Sequence, residues 1–349
     1  MRVAEYREPH VIEMVDRPEP VAGPGQITVE IAACGVCGSD LHSFERGFAA
    51  RPGQVLGHEF SGRILDPSDV EGLSEGQRVT VRPLTPCLAC PRCLAGDWHL
   101  CGAGAELNIG YGTQGAFAEE VLVPKALPGM TVFPLPDNVD DRTAALVEPL
   151  AVSLRAVTLA RPQVGEVAVV FGLGMIGLGV VRWLALSGAR VLAVDLSPVR
   201  REAALELGAE SVIDPVAEDT VERVVAVTGP GGYGMGAAAD VVVECSGAAP
   251  AFADALKVIR HGGRMSVAAM YPERVTLRPD RFVEKELEIH GSFAYKDEFG
   301  RVIGLMEQGA IDKDVFISHT FGLEDTPKAF LTQLDKDASL KVMVEPGRA

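Results

Sequence analysis

The stretch from Val167 to Asp195 constrains this chain more than any other. Val167-Ala168-Val169-Val170-Phe171 is an apolar run of strand length that leads straight into Gly172-Leu173-Gly174-Met175-Ile176-Gly177. An apolar helical stretch follows, and a second strand-like run, Arg190-Val191-Leu192-Ala193-Val194, ends on Asp195. A G-x-G-x-x-G string alone says little. Between a strand and a helix, with an acidic residue closing the next strand, it is the fingerprint of a dinucleotide-binding unit. Gly172 permits the tight turn, Gly174 lets backbone approach a pyrophosphate, and Gly177 lets helix pack on strand. Met175 and Ile176 open the helix, whose N-terminal amides favour phosphate charge. Asp195 suits the ribose hydroxyls of NAD, while Arg200 and Arg201 suit the extra phosphate of NADP; NAD is the preferred reading. The bland alternative is a glycine turn in an ordinary α/β sheet.

Strand candidates at 210–213, 240–244, 264–269 and 286–291, with helical stretches between them, extend this pattern. Alternation of this kind predicts an α/β domain with a doubly wound parallel sheet. The first 150 residues read as β-rich and loop-rich. Gln26–Ile31, Arg78–Val81 and Ala118–Val123 are short strands, and Ala126–Asp141, with three prolines, reads as connecting chain. Two helical stretches and a last strand, Leu340–Val344, follow residue 295.

Four of the seven cysteines crowd between 87 and 101, and no secretory signal precedes them, which points to metal before disulfides. Cys87, Cys90, Cys93 and Cys101 suit a tetrahedral zinc ion with every position filled, hence a structural site. An iron–sulfur cluster or a pair of disulfides would be the competing uses. His99 reads as a solvated neighbour, and the setting as reducing cytoplasm.

A second set is dispersed: Cys37 in Cys37-Gly38-Ser39-Asp40-Leu41-His42, His58 and Glu59 in Gly57-His58-Glu59, and Glu148 in Glu148-Pro149-Leu150. A thiolate, an imidazole and one or two carboxylates fit zinc with an open position, as catalysis requires. By spacing alone the signal is weak, and such residues are more often two core residues and a surface charge.

Taken in order, Cys37-Gly38-x-Asp40, Gly57-His58-Glu59, the four-cysteine lobe, Glu148-Pro149-Leu150 and the glycine fingerprint resemble the zinc-dependent medium-chain dehydrogenase/reductase family. The Glu148-Pro149-Leu150 signature is most similar to its polyol, butanediol and threonine dehydrogenase branch. The resemblance implies a GroES-like catalytic domain over 1–150, with a zinc lobe at 87–101, and a Rossmann domain over 151–295 before a return at 296–349. It implies Cys37 and His58 as ligands of a catalytic zinc, with Glu59 and Glu148 sharing direct ligation and the holding of the metal's water. Asp40 matches a carboxylate that orients the imidazole, Ser39 the hydroxyl that takes the alcohol proton, and His42 the solvent end of that relay. Two zinc ions per chain and a homo-oligomer, tetramer before dimer, are also implied. Cys34 and Cys245 match no family role and read as packed residues.

Zinc has no redox chemistry, so zinc and dinucleotide sites in one chain imply division of labour. The metal polarises oxygen and the nicotinamide carries hydride. The expected reaction is reversible oxidation of a secondary alcohol, diol or polyol to a ketone, with a threonine-type amino alcohol as the alternative. By resemblance the pocket draws on Ser39, Phe44, Tyr111, Phe117, Phe293 and Tyr295. Sorbitol-type relatives tend to read G-x-F-R-Y where this chain has Gly291-Ser292-Phe293-Ala294-Tyr295, which favours a substrate smaller than a long polyol. A formal charge of −16 opposes nucleic acid and anionic membranes as partners, and with them a zinc-ribbon binding protein. The longest uncharged apolar run, Val167 to Val181, has 15 residues, whereas a spanning helix needs about 20.

Overall fold

The computed structural model describes residues 1–348 except Met235. The chain divides into two compact units, Met1–Glu148 with Lys296–Ala349, and Pro149–Tyr295. The first unit opens with β1 (Arg2–Glu8), β2 (Val11–Asp16), β3 (Ile27–Gly35), β4 (Gln54–Val55), β5 (Glu59–Asp66), β6 (Arg78–Val81), β7 (Glu120–Val123) and β8 (Val132–Pro134). The second contains β9 (Val167–Phe171), β10 (Arg190–Val194), β11 (Ser211–Ile213), β12 (Ala239–Glu244), β13 (Ile259–Val267) and β14 (Glu288–Gly291). The chain then returns to the first unit for β15 (Ile317–Gly322) and β16 (Lys341–Glu345).

The second unit is a parallel sheet in the order β11-β10-β9-β12-β13-β14. Numbered from β9 this is 3-2-1-4-5-6, the doubly wound order that opens a ligand crevice beyond the carboxyl ends of its first and fourth strands. Every residue of β9 is buried, as expected of a parallel strand covered on both faces. Val169 lies between Leu192 of β10 and Val242 of β12, and all three belong to the apolar core.

In the first unit β3 is the hub. It pairs antiparallel with β5, β7 and β16, in a sheet ordered β15-β16-β3-β5-β6-β8. Ile27, Val29 and Ile31 of β3 enter the core and Glu30 faces out, while Thr28 and the end of the strand, Ala33 and Cys34, are buried on both faces. A smaller sheet is ordered β2-β1-β4. No helix among the described residues is long and apolar enough to cross a membrane.

Two strands differ from the sequence reading. β8 lies inside the stretch read as connecting chain; Pro134 closes it at the sheet edge, where a missing amide is tolerated. β15, Ile-Ser-His-Thr-Phe-Gly, lacks a clean apolar alternation and forms against the edge of β16.

Candidate active site and metal centres

The lobe at 87–101 is built around sulfur. The sulfurs of Cys87, Cys90, Cys93 and Cys101 all lie within 4.8 Å of one another. Cys87 and Cys93 are 3.8 Å apart, as are Cys90 and Cys101. A disulfide needs about 2.05 Å, and all seven cysteines are free thiols. Zinc–sulfur bonds of about 2.3 Å give a tetrahedral edge of about 3.8 Å, so the set fits one ion and is too tight to enclose a multi-iron cluster. The amides of Ala89 and Cys90 donate to Cys87 Sγ at 3.4 and 3.2 Å. These bonds bring its thiol down to about 6, towards the thiolate a metal requires. His99 stands outside the sulfur set.

Sequence reasoning missed the anchor of this lobe. Buried Arg82 stacks 4.2 Å over Trp98 and donates to the Lys296 carbonyl at 3.0 Å, while Lys296 Nζ pairs with Asp97 at 3.1 Å. A single arginine among prolines carries no spacing signal that would have marked it.

The second centre forms where β3 ends and β5 begins. Cys37 caps the helix Gly38–Arg46. Asp40, on its first turn, accepts from the Cys37 amide at 2.9 Å and from the Gly57 amide at 3.3 Å. The same carboxylate, which fixes the loop of Cys37, stands 3.5 Å from His58 Nδ1, a nitrogen with no hydrogen bond of its own. On the other side of the ring, Nε2 faces Tyr111 Oη at 3.2 Å and Ser39 Oγ at 3.5 Å, and those two hydroxyls are 2.7 Å apart.

Glu59 is held from behind. Its Oε2 lies 2.6 Å from Lys341 Nζ, which also donates to the Val36 carbonyl at 2.9 Å, and both side chains are buried. Gly35 stands opposite Glu59 in the ladder, where a Cβ would come within 2.5 Å of Oε2. Ligand atoms of Cys37, His58 and Glu59 lie within 4.8 Å of one another. Burial pushes the Cys37 thiol up, and Glu59 adds to the effect. A metal ion would reverse that, because a coordinating thiol is deprotonated outright. Thiol, imidazole and carboxylate around one small volume fit zinc.

Not every expected residue joins this centre. Glu148 is buried in the helix Val147–Ala160 and stands outside the close triad. His42 is exposed and makes no hydrogen bond to Ser39. Phe44 and Phe117 are not pocket walls: both pack against Phe330 in the apolar core, at centroid distances of 5.4 and 5.2 Å. Phe293 is exposed and Tyr295 buried. Neither Cys34 nor Cys245 belongs to a metal-holding set among the described residues.

In the second unit the glycine turn leaves β9 with Gly172 at φ 85°, and a Cβ there would meet Ser246 at 2.7 Å. A Cβ at Gly177 would lie 1.8 Å from the Gly172 carbonyl, whereas one at Gly174 would find only Arg200, at 4.0 Å. The turn thus packs on two sides and stays open at Gly174, the N-cap of the helix Met175–Leu186. This cradle fits a dinucleotide pyrophosphate. Asp195 accepts from the Leu173 amide at 2.6 Å and the Ser197 amide at 2.8 Å, so it also pins the turn. Arg201 is committed elsewhere, to the Asp195 and Leu196 carbonyls at 2.7 Å each and to Asp214 at 3.0 Å. That corrects its reading as a phosphate contact.

Glu244, also missed from sequence, is buried at the end of β12. It accepts from the Ser246 amide at 2.8 Å and from the Tyr271 hydroxyl, which fixes the loop facing Gly172. A carboxylate closing the apolar run Val241-Val242-Val243 was the available signal.

Residues 23–137 match the alcohol dehydrogenase GroES-like domain, and residues 175–308 match the zinc-binding dehydrogenase family. The chain is 31% identical to a sorbitol dehydrogenase of Halalkalibacterium halodurans, over 95% of this chain and 94% of that protein. It is also 31% identical to an (R,R)-butanediol dehydrogenase of Bacillus subtilis, over 99% and 100%. A crystal structure of a zinc-binding dehydrogenase from Sinorhizobium meliloti 1021, bound to NADP, superposes with a TM-score of 0.88 at 32% identity over 99% of each chain. Sulfur and histidine centres in one unit, a dinucleotide cradle in the other and these matches lead to one conclusion: the chain belongs to the zinc-dependent medium-chain dehydrogenase/reductase family and is an NAD(P)-dependent alcohol oxidoreductase.

Proposed function

We infer that the protein oxidises a small secondary alcohol, a diol for preference, with NAD and two zinc ions per chain. Cys37, His58 and Glu59 would hold the catalytic ion, with Glu148 as the second carboxylate of the site, and the four-cysteine lobe would hold the structural one. The observation that carries this reading is the pair of hydroxyls, Ser39 and Tyr111, standing against the one imidazole nitrogen that Asp40 does not face. When bound, zinc supplies Lewis acidity at the alcohol oxygen and NAD takes the hydride. Ser39 Oγ accepts the alcohol proton, and exposed His42, one helical turn away, is the solvent end of its path. The Asp40 carboxylate, 3.5 Å from His58 Nδ1, favours the tautomer protonated there and so leaves the Nε2 lone pair for the site. We also infer a homotetramer, to be read by light scattering, in a reducing cytoplasm that suits seven free thiols.

The test is a metal count per chain joined to a panel of secondary alcohols, vicinal diols, sugar alcohols and threonine, followed by absorbance of the reduced cofactor. Two zinc ions and turnover of diols are expected. Turnover confined to threonine would favour the amino-alcohol alternative, and a zinc-free active enzyme would end the reading.

The lobe should be separable from the chemistry. Cys93→Ser is expected to lose one of the two ions and to melt several degrees lower, while keeping its order of substrate preference. Structural zinc contributes roughly 10–16 kcal/mol in small peptides; only part should register here, because the large core of the first unit persists. A changed substrate order with an unchanged melting temperature would contradict a purely structural lobe.

Asp195 carries a second expectation. Charge-assisted bonds to ribose contribute about 1.5–3 kcal/mol, so Asp195→Ala should weaken NAD about tenfold to a hundredfold, at ~1.4 kcal/mol per decade. Because Asp195 also pins Leu173 and Ser197, the alanine variant should not become a good NADP enzyme. Asp195→Asn keeps an acceptor for the turn and removes the charge, so kcat/KM should shift towards NADP relative to NAD. An unmoved ratio would show that the carboxylate does not read the ribose.

A further inference from the structure

We propose that Glu244 and Tyr271 are a positioning pair, strapping together the two loops that serve the nicotinamide half of the cofactor; this rests on the reading that Asp195 takes the adenosine ribose. Asp195 follows β10, on one side of β9, and Gly174 opens the pyrophosphate cradle after β9 itself. The two mononucleotide halves of a doubly wound sheet lie on opposite sides of that switch point. The second half of a dinucleotide therefore belongs to the other side, at the carboxyl ends of β12 and β13.

One carboxylate ties the loops that leave those strands. Glu244, wholly buried, accepts from the Ser246 amide at 2.8 Å, the Gly247 amide at 3.2 Å and the Ser246 hydroxyl, all in the loop after β12. Its second oxygen accepts from the Tyr271 hydroxyl, in the loop after β13. The loops also touch directly: a Cβ at Gly247, whose φ is 67°, would come within 2.4 Å of the Met270 carbonyl oxygen. On its far side the Tyr271 ring meets Phe252 edge-on, at a centroid distance of 5.9 Å. Burial, and then the bond to Glu244, push the tyrosine hydroxyl up, so it stays a donor. Among the described residues no cation pairs with Glu244, and a buried carboxylate without one is costly. The return on that cost is order. Loops fixed before a ligand arrives leave less ordering to be drawn from its affinity.

The experiment compares NADH with ADP-ribose, which keeps the adenosine, the pyrophosphate and a ribose but lacks nicotinamide. Calorimetry is run on the zinc-loaded wild type and on Tyr271→Phe, which preserves the ring against Phe252 and deletes only the donor. NADH affinity should fall about tenfold in the variant, the scale of one lost hydrogen bond to a charged group, while ADP-ribose affinity stays where it was. Glu244→Gln, which keeps an acceptor oxygen, should show the same selective loss. Unchanged NADH binding, or equal losses for both ligands, overturns the assignment and leaves the pair a support of the Gly172 turn or of the packing. A wild type that does not bind ADP-ribose, or an Asp195→Ala variant that binds it as well as wild type does, overturns the reading of Asp195 and this inference with it.

Discussion

Cys37→Ser and His58→Ala should each lower kcat/KM by at least about a thousandfold while leaving NAD affinity where it was. Lewis-acid stabilisation of developing charge is worth several kcal/mol, and each ~1.36 kcal/mol is a decade in rate. A serine hydroxyl does not deprotonate near neutrality as a bound cysteine does, so even this isosteric change should release the ion. The dinucleotide cradle belongs to a unit with its own sheet and its own apolar core, which is why its affinity should survive. Kinetics, metal analysis and fluorescence titration with NADH on the same preparations decide the matter. A folded variant that loses NAD affinity in proportion to activity would refute the separation of roles.

The second large effect is expected at Lys341. Lys341→Met leaves the buried Glu59 carboxylate without its counter-charge. Breaking a buried pair in this way costs about 3–5 kcal/mol, whereas replacing both partners is often close to neutral. The metal-free variant should therefore unfold at clearly lower urea concentration, in the transition that reports the first unit. Adding Glu59→Gln in the same chain should recover most of the loss. Zinc should also narrow the gap, since its charge would stand beside the same carboxylate. If the single variant is as stable as wild type, the pair is incidental to the fold; if the double variant is no better than the single, the damage lies in packing.

What was legible in the chain follows from how directional each requirement is. The glycine fingerprint could be read because a tight turn, a close backbone approach and a strand-packed helix each exclude a side chain at a fixed offset. Gly172 and Gly177 stand where a Cβ would clash, and Gly174 where space stays open. The four cysteines could be read because a closed sulfur shell needs them close in sequence. Cys37, His58 and Glu59 were legible only as an ordered set, since nothing local to any one of them requires a metal. Lys341 was not legible: a lysine in a terminal strand is ordinarily solvated, and its partner lies 282 residues away. Phe44 and Phe117 were misread because an aromatic ring carries no mark that separates a pocket wall from core, and Phe330 claimed both. Asp195 was half read. A carboxylate closing the second strand is visible in sequence, but its bonds to Leu173 and Ser197 depend on how the turn closes.

The join between Glu59 and Lys341 also sets a timetable. On a ribosome adding about 5–20 residues per second, tens of seconds separate the two residues, and the whole of Pro149–Tyr295 emerges in that interval. Until β16 arrives, β3 lacks one neighbour and Glu59 has no cation beside it. The nascent first unit therefore passes through a form in which the Glu59 carboxylate lacks its counter-charge. Arrival of the last strand supplies that cation and the missing neighbour of β3 in one step.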